Sequence, residues 1–346
     1  MSGRRGKTNI VFFVFFGRLV RHNMIDRSQT SEQANSASFA EEFWSLWREL
    51  PEKGCFFGLL FAWVVMFHFL GNSTFSYIDS PSIFRWVYSF YSDPDLDDSH
   101  GLLIPLVVLV VLWWRRQRLL ALPRKGWSPA LGMLALAVVL HLLGFAAQQP
   151  RLSIVSFFFG LYALVGLTWG RDWLKATFMP FSIFVFCVPI SSLEIIKNLT
   201  MPLRLLATAI STGVAHGVLG FEVTRRGTQI LDATGVARYE VAAACSGIRS
   251  LISLFVLMTI FGMLNYRSMW RRFGLMLLSV PLALFCNVLR LISVIIAGQV
   301  FGVTASEVAH EYSGFFTYAI AIACLLLLSR WWKEKPLPQT TALSQS

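Results

Sequence analysis

Long apolar runs limit this chain more than any other feature. Eight stretches are candidates to cross a bilayer as helices: roughly Gly54–Leu70, Leu102–Trp114, Ala130–Ala147, Leu152–Trp169, Leu174–Ile190, Gly247–Leu264, Phe273–Val300 and Gly314–Trp332. Crossing takes about 20 apolar residues at 1.5 Å per residue. In lipid every backbone N–H and C=O must be satisfied within the protein, so such runs become helices. The expected fold is an all-α integral membrane helical bundle of about eight transmembrane helices. Composition agrees, with 55% of residues hydrophobic and 14% charged, against roughly a quarter charged in a soluble domain.

The net charge of +11 would suggest nucleic acid in a soluble protein. Here it falls in short loops and reads as topology, so no nucleic-acid partner is expected. Arg115, Arg116, Arg118, Arg124 and Lys125 follow the second run; Arg171 and Lys175 flank the fourth link; Arg267, Arg271 and Arg272 follow the sixth run; Arg330, Lys333 and Lys335 follow the eighth. An eight-span order puts all of these on one side with both termini, and the positive-inside rule makes that side cytoplasmic. Residues 1–53 are then a cytoplasmic segment, partly disordered, with an interfacial helix at Phe39–Leu50 marked by Phe43, Trp44 and Trp47. Residues 54–332 form the membrane domain and 333–346 a disordered cytoplasmic tail.

The longest outer segment is 191–244. Leu193–Leu219 has helical spacing broken by Lys197, Pro202 and Arg204, which suggests an interfacial or re-entrant helix. Gly220, Gly227 and Gly235 then punctuate β-type runs at Phe221–Thr224, Gln229–Leu231 and Val236–Val241. These predict a small extracytoplasmic β element, a hairpin or three-stranded sheet, leading to Val-Ala-Ala-Ala-Cys-Ser-Gly-Ile-Arg-Ser at 241–250. Cys245 there precedes an apolar helix. The positive end of a helix dipole favours thiolate, although a lone cysteine is more commonly a small packed hydrophobe.

Other polar residues fall at the same predicted depth. Arg290 lies about 17 residues into the seventh run, roughly 26 Å along it, and Asn287 is one turn earlier. A charge inside a span is a functional candidate; the plainer alternative is snorkelling to the interface. His310, in a loop before the eighth run, is the third candidate. A histidine can take and return a thiol's proton, and a guanidinium can stabilise an oxyanion. Together they suit acyl transfer through a thioester, with Cys245, Arg290 and His310 as catalytic candidates. Asn287, Ser246, Arg249, Glu307 and Glu311 are supporting candidates: Asn287 to orient Arg290 or donate a second hydrogen bond, a glutamate to orient the imidazole. His68 and His141 lie in apolar runs and are expected to pack inward, as is Cys286. Five scattered cysteines without C-x-x-C predict neither a disulfide framework nor a metal site, and no cofactor is expected.

Three ordered motifs, A-C-S-G-I-R-S-L, N-V-L-R and H-E-Y-S-G, resemble those of the exosortase/archaeosortase family of bacterial and archaeal membranes. The resemblance is strongest over Val241–Tyr318. It implies a polytopic cysteine transpeptidase or protease, with its nucleophile, arginine and histidine at Cys245, Arg290 and His310. Substrates would be exported proteins with a C-terminal sorting tail of motif, membrane helix and basic cluster, as in PEP-CTERM proteins. The tail would be cut through a thioester and the protein transferred, with a lipid-linked or glycan acceptor as one option, or released. That places the protein in the cell (inner) membrane, among lipids, with its active site on the extracytoplasmic side. The rival readings are a polytopic transporter, which the lack of an internal repeat disfavours, and a lipid-linked cysteine acyltransferase.

Overall fold

The computed structural model describes residues 39–74, 80–93, 98–123, 125–189, 194–231, 237–240, 248–266 and 268–332. The chain divides into two units, Met1–Pro51 and Glu52–Ser346. In the first, α1 (Phe39–Glu49) is the amphipathic helix expected from its aromatic spacing. Phe43 and Trp47, four residues apart, stack at 6.4 Å between ring centroids.

The second unit opens with α2 (Lys53–Leu70), α3 (Ile83–Ser92), a 3-10 turn at Ser99–Leu102, α4 (Ile104–Trp114), α5 (Arg116–Leu120), α6 (Ala130–Ala146) and α7 (Pro150–Trp169). It continues with α8 (Arg171–Ser182), a second 3-10 turn at Ile183–Cys187, α9 (Glu194–Gly217), the strands β1 (Thr224–Arg226), β2 (Gln229–Leu231) and β3 (Ala237–Glu240), α10 (Ile248–Asn265), α11 (Met269–Phe301) and α12 (Val303–Trp331). Among the described residues, α2, α7 and α11 are long and apolar enough to cross a membrane, with shorter apolar helices at His100–Trp114, Ala130–Ala146, Leu251–Met263 and Ala319–Leu328. Bulky apolar side chains such as Phe61 on α2 and Leu277 on α11 point outward, as they do in a bundle whose solvent is lipid.

Three expectations change. The run Leu174–Ile190 is not one span. Pro180 removes a backbone donor near the end of α8, and the chain tightens into the 3-10 turn that follows. The link between the first and second apolar runs contains α3, capped where Ser82 Oγ accepts the Arg85 N–H at 3.4 Å. His310 lies within α12, not in a loop. Gly302 takes φ 89°, closing α11 and letting the next helix start at Val303. The count of eight spans is not confirmed: three helices among the described residues reach spanning length.

Helices α6 and α7 form a tight hairpin, with Gly144 against Leu152 and Ser153. His141, which showed no partner in the sequence, pairs there with Ser153 Oγ at 3.1 Å. His68, expected to pack inward as well, is instead exposed and pairs with Ser82 Oγ at 3.2 Å. Trp63 on α2 donates its Nε1–H to Phe157 O at 3.0 Å, and its ring lies flush against Gly160 on α7.

Helix α11 is the axis of the other half and packs against α9, α10 and α12. Small residues Ala207 and Ala215 on α9, both fully buried, meet Val288, Leu291 and Ile295 of α11. The sheet is antiparallel in the order β1-β2-β3. Ile230 of β2, fully buried, joins the same core. The predicted β element therefore forms and sits at the Val288–Ile295 level of α11.

A methyl at Gly160 would overlap the Trp63 ring. Gly160→Ala should therefore destabilise the detergent-solubilised protein by about 1–3 kcal/mol, read as a lower melting temperature. Trp63→Leu in the same chain should recover part of the loss, since it removes the ring that clashes.

A polar cluster where three helices meet

Helices α10 and α11 are joined by three residues, so they run antiparallel. Gly262 on α10 packs against Arg272 and Leu275. Ile248, fourteen residues earlier on α10, is thus level with the α11 residues fourteen later, near Asn287. Helix α12 turns back at Gly302 and brings His310 and Ser313 to Arg290. The start of α10, the Arg290 turn of α11 and the second and third turns of α12 therefore share one end of the bundle. The β element is at that end too, because Ile230 shares a core with Val288 and Leu291.

Arg290 is half-buried and held at three points. Its Nε–H donates to Ser313 Oγ at 3.1 Å. Its Nη2 lies 3.1 Å from His310 Nδ1 and 3.3 Å from the His310 carbonyl. Ser313 Oγ in turn donates to His310 O at 3.1 Å. A guanidinium has five N–H donors, no acceptor, and keeps its proton. Nδ1 must therefore accept, and the neutral ring carries its own proton on Nε2. Burial first, and the Arg290 charge second, hold the His310 pKa below the usual histidine range. Arg290 Nη1 has no partner among the described residues.

Arg290 and His310 were expected to meet from sequence, and they do. The supporting residues fall out differently. Asn287 is 5% exposed and shares the Arg290 side of α11, but its Oδ1 has no hydrogen-bond partner among the described residues. The residue that orients Arg290 is Ser313, buried on α12. Sequence reasoning missed it, although it lies in H-E-Y-S-G three residues after His310, which in a helix is the same face. Glu307 is exposed, and the imidazole Nδ1 is held by Arg290 rather than by a carboxylate. Cys245 and Ser246 lie outside the described residues. Arg249 and Glu311 lie on α10 and α12, with their side chains outside the description. Cys286 is buried, as a packed thiol should be. No group of three or more His, Cys, Asp or Glu that could hold a metal occurs among the described residues.

The fold and this cluster define a helical membrane protein with an arginine–histidine–serine site between its last helices. A family model for transmembrane exosortases (Exosortase_EpsH) matches residues 91–327. The chain belongs to the transmembrane exosortase family. No curated protein and no solved structure matches it.

The lowered His310 pKa has a thermodynamic sign. The native state binds fewer protons than the unfolded chain, so the neutral-imidazole contribution is fully present above about pH 6.5. It is lost as pH falls below that value through the lowered native pKa. On going from pH 7.5 to 5 the wild-type melting temperature should fall more steeply than that of His310→Gln, which cannot titrate. Parallel slopes would show that His310 ionises in the fold as it does in water.

Proposed function

We propose that this protein is a membrane-embedded cysteine peptidase or transpeptidase acting on exported proteins with a C-terminal sorting tail. The observation that carries the reading is the meeting of Arg290 and His310 across α11 and α12, in a member of the transmembrane exosortase family. Cys245 is the nucleophile. It lies three residues before α10 begins at Ile248, where the helix dipole favours thiolate. Its sulfur attacks the scissile carbonyl, and Arg290 offers N–H donors to the developing oxyanion. His310 carries the proton between thiol and leaving amine. Water or an acceptor nucleophile then releases the thioester.

A tail with a spanning helix and a basic cytoplasmic end would present its motif at the opposite face of the membrane. The proposal therefore sets the cluster on the extracytoplasmic side of the bacterial inner membrane, with both termini in the cytoplasm. The acceptor can be a lipid-linked or glycan nucleophile. The reaction needs no cofactor in this scheme.

Cys245→Ala should abolish cleavage of a co-expressed reporter ending in a motif, membrane helix and basic cluster, while the protein still accumulates in the membrane. Losses on removing a cysteine nucleophile are of order a thousandfold or more. Processing that persists in Cys245→Ala would reject the assignment. A mass-identified lipid acyl group on Cys245, in place of a reporter fragment, would move the reading to a lipid acyltransferase.

A further inference from the structure

The end of the bundle away from Arg290 gathers arginines that the chain does not neutralise. Helix α4 packs against α8. The two run antiparallel, because Cys187 Sγ, just past α8, lies 3.8 Å from Gly101 O, just before α4. Arg115, which ends α4, is therefore level with the start of α8. Arg272, in the first turn of α11, reaches the same region. Its Nη1 lies 3.8 Å from Met179 Sδ on α8, and its Nε–H donates to Tyr266 O at 2.8 Å. Arg118, one turn on from Arg115 in α5, completes the group.

These three guanidiniums lack an anion. Arg115 is half-buried, and neither its side chain nor that of Arg118 has a hydrogen bond or ion pair among the described residues. Arg272 Nη1 has only thioether acceptors, Met179 and Met269 at 3.8 and 3.7 Å, and sulfur is a weak acceptor. Burial first, then the Arg118 and Arg272 charges, hold the Arg115 pKa below its usual value. A guanidinium keeps its proton even so. Like charges drawn together in a half-buried site carry a cost that a bound anion removes. Neighbouring arginines are engaged by the chain itself. Arg116 stacks over the Trp113 ring at 4.8 Å and donates to Trp113 O at 3.0 Å, and Arg271 donates to Trp332 O at 3.4 Å. Asp172, exposed at the start of α8, makes no ion pair among the described residues. The first turn of α11 contains no acidic residue, so the positive end of its dipole adds to the same field.

We propose that Arg115, Arg118 and Arg272 bind the phosphate headgroup of an anionic phospholipid, which ties α4 to α11. Guanidiniums grip phosphate oxygens in two-point contacts, and basic pockets between membrane helices take such headgroups. Tryptophans set the level. Trp270 is 84% exposed and Trp332 40%, both beside Arg271, and exposed tryptophans mark the headgroup layer. On the proposed topology this is the inner leaflet. An acyl chain has a path as well. Met269, Phe273 and Leu277 recur every four residues along α11 and are each at least 60% exposed. That apolar stripe begins at Arg272, whose Nη1 touches the Met269 sulfur. A free phosphate would use the cations and leave the stripe empty, so the chemistry favours a lipid.

Arg272 is eighteen residues, roughly 27 Å, from Arg290 along α11, so occupancy of this site does not depend on the chemistry of the Arg290 cluster. The full chain in detergent is titrated with phosphatidylglycerol and with phosphatidylcholine of the same acyl chains, and bound lipid is followed by native mass spectrometry. Phosphatidylglycerol should bind the more tightly. An arginine at an anionic headgroup is worth roughly fivefold in affinity, so Arg115→Gln and Arg272→Gln should each weaken phosphatidylglycerol by about that factor. Neither should alter phosphatidylcholine binding. Arg225→Gln on β1, the same loss of charge at the other end of the bundle, should change neither lipid. Arg118→Gln alters an exposed residue and should weaken phosphatidylglycerol by about twofold or more; it decides alone if the half-buried variants do not purify folded. Inorganic phosphate at the lipid's own concentration should not displace it. Equal affinity for the two lipids, unchanged binding in the arginine variants, an equal loss in Arg225→Gln, or displacement by inorganic phosphate overturns the lipid site.

Discussion

An arginine well inside a largely apolar helix must have acceptors, and that requirement organises this end of the molecule. A guanidinium does not shed its proton, so burial cannot be relieved by neutralising it. Leaving it unpaired in a medium of low polarity costs several kcal/mol. Arg290 takes its acceptors from the adjacent helix: a serine oxygen, a ring nitrogen and a backbone carbonyl. No carboxylate is among these partners. These neutral acceptors hold the Arg290 charge without cancelling it.

The surroundings make this pairing rigid through packing. Hydrogen bonds between membrane helices are worth on average about 0.6 kcal/mol each, so contacts such as Ser211 Oγ to Val288 O at 3.5 Å act mainly as register marks. Close approach comes from residue size. Ala207, Ser211 and Ala215 recur every four residues on α9 and are all fully buried, so that face can come close to α11. Ile230 seals the core from the sheet side. In the other half the same economy appears in Gly144 and Gly160, where the neighbouring side chain occupies the place of a Cβ.

Much of the architecture was readable from local pattern. Most helices follow the apolar runs, and the sheet follows glycine-punctuated β-type residues, because both signals depend on neighbours in the chain. Charge inside an apolar run marked Arg290 by the same logic. Misreadings arose where the deciding fact was a partner distant in sequence or a single backbone torsion. His310 looked like a loop residue because its polar neighbours hid a helix that Gly302 begins. Asn287 looked like the group that steadies Arg290 because it is nearest along the helix. His68 and His141 looked solitary because their serines lie 14 and 12 residues away.

The sequence by itself determined that this chain is a helical membrane protein, that a small β element precedes the cysteine motif, and which three motifs resemble an exosortase. Hydropathy, spacing and residue chemistry are local quantities, and one dimension suffices to read them. Only the tertiary structure decided that Ser313 holds the guanidinium and that Arg290 occupies the imidazole Nδ1. It also decided that Asn287 Oδ1 is buried without a partner among the described residues. Those facts depend on how two helices turn about their axes when they pack, and a rotation of a few tens of degrees, which leaves hydropathy along the chain unchanged, replaces one set of neighbours with another.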